Sequence, residues 1–421
     1  RITQDHVDQN LMFAGTEFGV FVSFNRGQNW TELNGGLPTI SIRDLTIHRR
    51  ENDLVLATFG RGIYILDDIS LLRNISDKKL TKNPAHFFPV KEALWYHQES
   101  PLGSYPYQGA ANFIAKNPAF GATFSYFLRD GYKSLQDLRK EKEKKKNHAI
   151  ALPKWSVLNS EMTERPPKIW FSISNQDGKV VRKVQGPTKK GFHRVAWDLK
   201  GTYASAINDR AIKDNREIWE PEPRYMVAPG AYSVSMFLEK DGKITPLGEP
   251  QSFNVTRLTE PHLQGKDFIT QKQELDRITK VENEITAAST RIQKIKDRIK
   301  YWDKAIAESE VQPGELDLAM SSLAEKIHGL EIQVSGDPSR IEVGEKNQPT
   351  VFERLFVGQA TLMSSTHGLT PTHENNLALA ETQMKSLLAE LNQMENEEIP
   401  KFEALLDQNN VPWTEGRKIS K

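Results

Sequence analysis

Carboxylates near the start of the chain are the residues whose types and spacing come closest to those of an active site. Glycoside hydrolysis uses two carboxyl groups that face each other across a sugar, and Asp44, Asp67 and Asp68 lie among short predicted strands. Asp67 and Asp68 follow directly after the last of these strands, where short acidic side chains typically cap a turn. We therefore interpret them as structural residues and predict no catalytic residue in the chain.

Histidine and cysteine usage gives no pattern for a metal centre. The ten histidines are scattered without an H-E-x-x-H motif, and the absence of cysteine excludes thiolate ligands, cysteine nucleophiles and disulfides. The glycine-rich loops that bind nucleotide phosphates and the G-x-S-x-G turn of serine hydrolases are also missing from the sequence. The sequence therefore predicts neither a metal site nor a cofactor.

The charge balance and the apolar runs exclude two classes of partner. The 56 lysine and arginine residues balance 55 aspartate and glutamate residues, and the net charge of +1 indicates no basic face for nucleic acid. No apolar run approaches the ~20 residues that span a bilayer. We expect no nucleic-acid partner and no membrane span. The lack of cysteine suits an intracellular protein or a bacterial secreted one.

The first 73 residues contain a repeated strand-turn-strand unit. Short apolar or alternating runs bounded by Gly, Asn, Asp or Pro predict six strands. Segments 14–22 and 57–65 both consist of a strand, a glycine turn and a second strand, and they begin 43 positions apart. That period is the size of one four-stranded propeller blade. Six strands make about one and a half blades, so a closed ring would need further blades upstream of Arg1.

Between the two copies lies a segment, 23–30, that resembles the Asp-box of bacterial-neuraminidase-type repeats. Ser23, Asn25, Gly27 and Trp30 occupy the positions of the motif, with asparagine in place of the usual aspartate. A short polar side chain there caps backbone N–H groups of its own turn, and glycine supplies a positive φ. We expect a turn-locking role for these four residues, with sugar binding as the alternative.

Together with segments 15–20, 36–38 and 58–68, this motif resembles the last blade of sortilin-like repeat propellers. Bacterial members of that family are often labelled glycosyl hydrolases. The resemblance implies that residues 1–73 form terminal β-propeller blades of an incomplete ring, whose partners are upstream blades of the same protein. It also implies a secreted protein, or one at the bacterial cell surface or outer membrane. The cysteine-rich modules of sortilin are absent from the sequence, so its receptor function is not carried over.

Residues 84–258 show alternating strands with turn signals, which predict an antiparallel β-sandwich. Segments 178–182, 191–198 and 228–232 resemble the Ig-like module of flagellar hook-capping proteins. A charged insertion at 130–165 contains a lysine- and glutamate-rich run that predicts an exposed helix. Two residues are weak candidates for ligand binding: Arg61 in the repeat and Trp219 in the 203–225 loop, whose aromatic ring suits either stacking on a sugar or packing within the sandwich.

The sequence pattern of residues 265–415 predicts a helical hairpin or bundle, or a coiled coil. From Phe268 to Ala307 the chain has no proline or glycine, and apolar residues recur in steps of three and four. Thr370 and Pro371 predict the start of another long helix, and Pro400 predicts a break or kink in it. The apolar stripes of these helices either bury one another or bind another protein, and the number of stripes favours the first interpretation.

The fold class predicted is multidomain: propeller blades, an Ig-like sandwich and a helical bundle. The first functional hypothesis is a non-catalytic ligand-binding or assembly part of a secreted or cell-surface protein, with a polysaccharide or a cell-envelope complex as partner. The alternative is the C-terminal accessory region of a glycoside hydrolase whose active site lies upstream of Arg1. A third hypothesis is an accessory subunit of a secretion or nutrient-uptake complex.

Overall fold

The structure, a computed structural model, describes residues 1–75, 83–98, 117–145, 152–213 and 223–418. It is a multidomain protein of mixed β-sheets and helices, and it divides into two compact units. The first unit contains Arg1–Leu199 and Pro229–Thr259, and the second contains Lys200–Ala228 and Glu260–Lys421. The segment from Lys200 to Ala228, which the sequence places within the 84–258 sandwich stretch, therefore belongs with the helices.

Two small antiparallel sheets open the first unit. The strands are β1 (Ile2–Gln4), β2 (Met12–Thr16), β3 (Gly19–Ser23), β4 (Thr31–Glu32), β5 (Ile42–His48), β6 (Asp53–Thr58) and β7 (Ile63–Leu66). The first sheet has the order β1-β2-β3-β4 and the second has the order β5-β6-β7, so each is a simple meander. A 3-10 helix, Ile69–Asn74, follows. The six predicted strands are confirmed, and β1 is an additional one.

The first sheet packs one of its faces on the second sheet. Phe13, Val20 and Val22 of the first sheet and Leu45 and Leu56 of the second are buried in one apolar cluster. Paired residues of an antiparallel sheet share a face, so the register shows which side of each sheet is used. We call the buried side of the first sheet its front and the buried side of the second sheet its back.

A glycine sets the distance between these two sheets. A Cβ atom on Gly15 of β2 would lie 2.7 Å from both Ile42 Cγ2 and Leu45 Cδ2. That is well inside the ~3.5–4.0 Å at which carbon atoms pack. The backbone of β2 therefore approaches the side chains of β5 more closely than any larger residue would permit.

The rest of the first unit consists of two further sheets that pack face to face. Their strands are β8 (Ala85–Phe87), β9 (Ala93–Trp95), β10 (Ala122–Leu128), β11 (Lys168–Asn175), β12 (Val180–Gly186), β13 (Gly191–Trp197), β14 (Gly230–Lys240), β15 (Lys243–Pro246) and β16 (Gln251–Arg257). One sheet has the order β13-β10-β8 and the other β12-β11-β14-β16-β9, with β15 paired to β14. The β16–β9 pair is parallel and the other pairs are antiparallel.

Aromatic rings fill the space between these two sheets. Phe124 of β10 stacks on Phe171 of β11 with centroids 5.4 Å apart, and Trp197 of β13 meets Tyr232 of β14 edge-on at 5.4 Å. Gly186 leaves room for the Tyr126 ring, because a Cβ atom there would lie 2.5 Å from the tyrosine hydroxyl oxygen. These contacts join both sheets through one aromatic core.

The described part of the charged insertion contains two short helices, α1 (Leu135–Lys144) and α2 (Trp155–Thr163). The helix predicted from the lysine- and glutamate-rich run is thus confirmed, and none of its residues is buried. Arg139 of α1 donates two hydrogen bonds to Glu161 of α2, 2.6 and 2.9 Å long. This ion pair joins the two helices, and the side chain of Glu161 is largely covered.

The second unit is helical. Its helices are α3 (Asp209–Lys213), α4 (Phe268–Ala307), α5 (Glu315–Ser335), α6 (Pro338–Glu342), α7 (Val351–Ser364), α8 (Pro371–Gln393) and α9 (Ile399–Gln408). The 40-residue α4 matches the predicted helix at both ends, and it is ~60 Å long at 1.5 Å per residue. Within the described ranges no helix combines the length and the apolar character that crossing a bilayer requires.

Ion pairs between helices show the direction of each helix. Arg277 of α4 binds Glu381 of α8, and Arg298 further along α4 binds Glu403 of α9, so α8 and α9 run parallel to α4. Between them Arg291 binds Glu395 with hydrogen bonds of 2.6–3.1 Å. Helices α5 and α7 return beside α4, as the Lys296–Glu331 ion pair and the backbone hydrogen bond from Lys266 N to His367 O show.

A π-helical turn, Met394–Glu398, joins α8 to α9. Pro400 lacks the N–H that would continue the α-helical ladder, and the wide turn just before it absorbs this interruption. The N–H of Ile399 bonds to Met394 O, five residues back. The predicted break at Pro400 therefore takes the form of a wide turn within a continuous helical segment.

Candidate functional site

The Asp-box turn is held by hydrogen bonds within its own loop. The hydroxyl oxygen of Ser23 accepts bonds from the backbone N–H groups of Asn25 and Gly27, at 3.3 and 2.8 Å, and donates to Asn25 Oδ1. The same Asn25 oxygen accepts from the N–H of Asn29 at 2.9 Å. Gly27 has a φ of 83°, and the half-buried Trp30 ring lies against it. This arrangement locks a turn with the polar atoms of Ser23 and Asn25.

The two repeated hairpins use the same side-chain bond at their turns. The hydroxyl of Thr16 donates to Gly19 O at 3.0 Å, and the hydroxyl of Thr58 donates to Gly62 O at 2.7 Å. The second turn has one residue more, which the sequence comparison of 14–22 with 57–65 does not show. In space, Thr16 corresponds to Thr58 and Gly19 to Gly62.

The two weak ligand-binding candidates are separated in the chain and only one of them is described. Arg61 lies exposed in the turn between β6 and β7. Two residues before it is Phe59, whose ring is exposed. The guanidinium of Arg43 lies over this ring, 4.7 Å from its centroid. Trp219 lies outside the described residues. The structure thus places a cation–aromatic pair next to Arg61, which sequence reasoning missed because Arg43 is distant in the chain.

Two of the candidate acids, Asp44 and Asp68, have local roles. Asp44 accepts a hydrogen bond from the N–H of Leu45 and pairs with Arg1 at 3.1 Å. Asp68, at a φ of 51°, caps the following 3-10 helix by accepting from the N–H of Ser70 at 3.2 Å. These bonds fit a turn-capping role.

Asp67 is the candidate acid whose electrostatics are perturbed. Burial and, to a smaller extent, the neighbouring carboxyl group of Asp53 raise the pKa of Asp67. Arg194 of β13 opposes this increase in pKa, and its guanidinium donates to the carbonyl oxygens of Asp67 and Asp68 at 2.8 and 3.1 Å. A carboxyl group in this setting holds its proton more readily than an exposed one.

A buried ion pair connects loops of the first and second sheets. Arg73 donates to both carboxylate oxygens of Asp5, at 2.7 and 2.9 Å, and to Asn52 Oδ1 at 2.6 Å. Asp5 follows β1, Asn52 lies between β5 and β6, and Arg73 belongs to the 3-10 helix. Burial alone would raise the pKa of Asp5, but the hydrogen bonds from Arg73 and from the Asp8 N–H hold it below its ordinary value.

The second unit contains a polar cluster that the sequence does not reveal. Tyr225 donates its hydroxyl proton to Glu282 Oε2 at 2.7 Å, and Gln359 Nε2 donates to the same oxygen at 2.9 Å and to the tyrosine hydroxyl at 2.6 Å. Burial raises the pKa of Glu282 and the pKa of Tyr225. The cluster ties the 223–228 segment to α4 and α7. Its members are 57 to 134 residues apart, so no sequence pattern joins them.

The described ranges show no group of three or more histidine, aspartate or glutamate side chains that could hold a metal ion. An open depression of about 400 Å³ lies between the end of α5 and the start of α7, beside Gly336, Asn347 and Thr350. Thr350 already accepts from the N–H of Glu353, whose carboxylate accepts from the N–H of Thr350. The polar groups at that helix start therefore satisfy each other.

Comparison with known proteins adds no relative: no family model matches the chain, and no curated protein matches it. The assignment to sortilin-like propellers therefore stays a prediction from the sequence motifs.

Proposed function

We propose that this chain is a non-catalytic assembly or scaffold part of a secreted or bacterial cell-surface β-propeller protein. In this proposal the first two sheets are terminal blades, the face-to-face sheets of the first unit are an Ig-like sandwich, and the helices form a bundle with a coiled-coil seam. The partners are upstream blades of the same protein, together with a cell-envelope complex or a polysaccharide.

The observation that supports the proposal best is the stacking of two sheets built from one repeat. The hairpins of both sheets end in the same threonine-to-glycine bond, and the front of one packs on the back of the next. A propeller is a ring of small antiparallel meanders stacked in this front-to-back manner. Since the Asp-box atoms and two of the candidate acids, Asp44 and Asp68, bond within their own turns or to neighbouring loops, the same geometry supports a structural role for this region.

The helical unit has the properties of a rigid spacer between partners. Its long helix is paired with its parallel neighbours by arginine–glutamate bridges at three levels, Arg277, Arg291 and Arg298. Such pairs fix the register and direction of packed helices. A rigid rod of ~60 Å is appropriate for holding partners at a fixed separation.

Two measurements test this proposal. Incubation of the purified protein with xyloglucan and other β-glucans, followed by assay of reducing ends, is expected to show no release of oligosaccharides. Native electrophoresis of gently solubilised envelopes is expected to show the protein in a complex. Release of oligosaccharides by the protein, or its recovery from the envelope only as a lone monomer, would contradict the scaffold function.

A further inference from the structure

The connection between the first and second sheets is fastened at its two ends and unbonded between them. The N–H of Leu33 donates to Val20 O at 2.8 Å, and Ser41 O accepts from the N–H of Phe59 at 2.9 Å. In the part of the chain that the structure describes, no hydrogen bond involves the backbone of residues 34–40. This stretch can therefore change its conformation without breaking a hydrogen bond.

The only Asn-Gly pair of the sequence lies at the start of this unbonded stretch. Asn34 is exposed, and it is followed by Gly35 and by Gly36, which has a φ of 86°. A Cβ atom at either glycine would meet nothing within 4 Å. Because glycine adopts more backbone conformations than any other residue, the backbone nitrogen of Gly35 can turn toward the side-chain carbonyl carbon of Asn34. A bond between these two atoms would close a five-membered ring, so the reacting groups are already neighbours.

We propose that Asn34 is a site of self-modification, at which the chain converts this asparagine to aspartate and isoaspartate without an enzyme. The backbone nitrogen of Gly35 attacks Cγ of Asn34, so that a new C–N bond forms and the Cγ–Nδ2 bond breaks. The side-chain nitrogen takes up the proton of the Gly35 N–H and leaves as ammonia. Water then opens the resulting succinimide ring at one of its two carbonyl carbons. Opening at one carbon gives aspartate, and opening at the other gives isoaspartate, in which the backbone passes through the former side chain.

The isoaspartate product acts on the contact between the two sheets. Its backbone is longer by one C–C bond, ~1.5 Å. Leu33 and Leu37, on either side of it, pack on the apolar cluster that both sheets share. Leu33 is held by its hydrogen bond to β3, so the added length falls on the chain after it and displaces Leu37. The modification therefore loosens the packing of the connection on the sheets, an effect that does not depend on the scaffold function.

Peptide mapping by mass spectrometry follows the reaction in the full chain. After incubation in mildly alkaline buffer, the peptide that contains Asn34 is expected to show the mass increase of NH2 replaced by OH. Methylation by protein isoaspartyl methyltransferase is expected to detect isoaspartate in the same peptide. The rate in the folded protein is expected to lie within about 10-fold of the rate in urea, because an unbonded loop opens at almost no cost in free energy.

An internal control comes from a second asparagine that precedes a small residue. Asn159 and Ser160 lie inside α2, where the backbone N–H groups take part in the helical ladder. The peptide that contains them is expected to react at least about 10-fold more slowly in the folded protein than in urea. The comparison of the two peptides in one sample separates the effect of local structure from that of the buffer.

Two variants separate the reaction from its consequence. Gly35→Ala is expected to slow the conversion by about 5-fold or more, because the added methyl group restricts the backbone without meeting a neighbour. Freshly prepared Asn34→Asp carries the new charge on a backbone of normal length. Hydrogen exchange in β5 peptides is expected to be faster in the incubated wild type than in the fresh wild type, and unchanged in fresh Asn34→Asp.

The possible failures are distinct. An Asn34 peptide that does not convert, or that converts more than about 10-fold more slowly in the folded protein than in urea, would overturn the site. A rate that Gly35→Ala leaves unchanged would do the same. Unaltered hydrogen exchange in fully converted protein would overturn the effect on the sheets.

Discussion

Replacing Gly15 by alanine tests whether the first two sheets stack as closely as described. The new methyl group would lie 2.7 Å from Ile42 Cγ2 and from Leu45 Cδ2, both on β5. Since carbon atoms pack at ~3.5–4.0 Å, the two sheets must separate by about 1 Å or the side chains must leave their rotamers. Both partners are branched and buried, so neither can move into solvent.

The size of the effect follows from two opposing contributions. Overpacking of one methyl group in a buried contact costs about 1–3 kcal/mol. The loss of glycine's freedom in the unfolded chain returns roughly 0.4–1 kcal/mol. We therefore expect Gly15→Ala to destabilise the two-sheet region by about 1–2 kcal/mol.

Hydrogen exchange measured by mass spectrometry reports this change locally, on peptides from β2 and β5. Gly35→Ala is the matched control, because a Cβ atom at Gly35 meets nothing within 4 Å. Adding Leu45→Ala to the Gly15→Ala variant opens space for the methyl group, so the double variant should be less destabilised than the sum of the single variants. Equal protection of the Gly15→Ala and Gly35→Ala variants would refute the close approach of β2 to β5.

Three further predictions concern polar groups. Ser23→Ala removes the acceptor for two backbone N–H groups of the Asp-box turn and should lower the unfolding free energy of the two-sheet region by about 1–2 kcal/mol. Hydrogen exchange on peptides around that turn measures this loss, and polysaccharide retention in affinity electrophoresis should be unchanged. An unaffected stability would contradict a turn-locking role. Arg73→Met leaves the Asp5 carboxylate buried without its cation and should destabilise the same region by about 3 kcal/mol. Because the pKa of Asp5 is lowered in the fold, the stabilisation by this pair is present above the ordinary pKa and is lost as the pH falls through the folded value, so urea titrations of wild type and variant should converge in acid. Glu282→Gln tests the reverse case, because burial raises the pKa of the Glu282 carboxyl group. The contribution of this group to folding stability is therefore full below the ordinary pKa and declines as the pH rises through the folded value. The variant should be more stable than the wild type at neutral pH but not at pH ~4, and the absence of this difference would contradict the burial of that charge.

Elements with a strong periodic pattern could be predicted closely from the sequence. The long helix α4 was predicted at Phe268–Ala307 because no proline or glycine interrupts its apolar stripe, and Asp267 caps its start by accepting from the N–H of Thr270. Strands with alternating apolar residues were predicted in the same way. Strand β1 was missed because Ile2 is its single apolar residue, and only pairing with β2 makes it a strand.

Contacts between distant parts of the chain could not be predicted, because their causes lie in tertiary packing. The Tyr225–Glu282–Gln359 cluster forms where three segments meet, and none of these residues lies in a motif. The same applies to the assignment of Lys200–Ala228 to the helical unit. There, Ser205 hydrogen-bonds Thr286 of α4 at 2.7 Å. Composition favours loop structure for this segment but gives no information about the surface on which it lies.

The wide turn before Pro400 also determines how the charges of two parallel helices match. The glutamate partner of Arg277 and that of Arg291 each lie 104 residues further along the chain, but the partner of Arg298 lies 105 residues away. The step of one residue coincides with the π turn, which inserts one extra residue into the helical path. Deleting a residue there would turn everything after it by ~100°, so the bridge at Arg298 and the ring contact of Trp302 with Phe402 would be lost together. An apparent irregularity thus works as a spacer that keeps the far end of the rod in phase with α4.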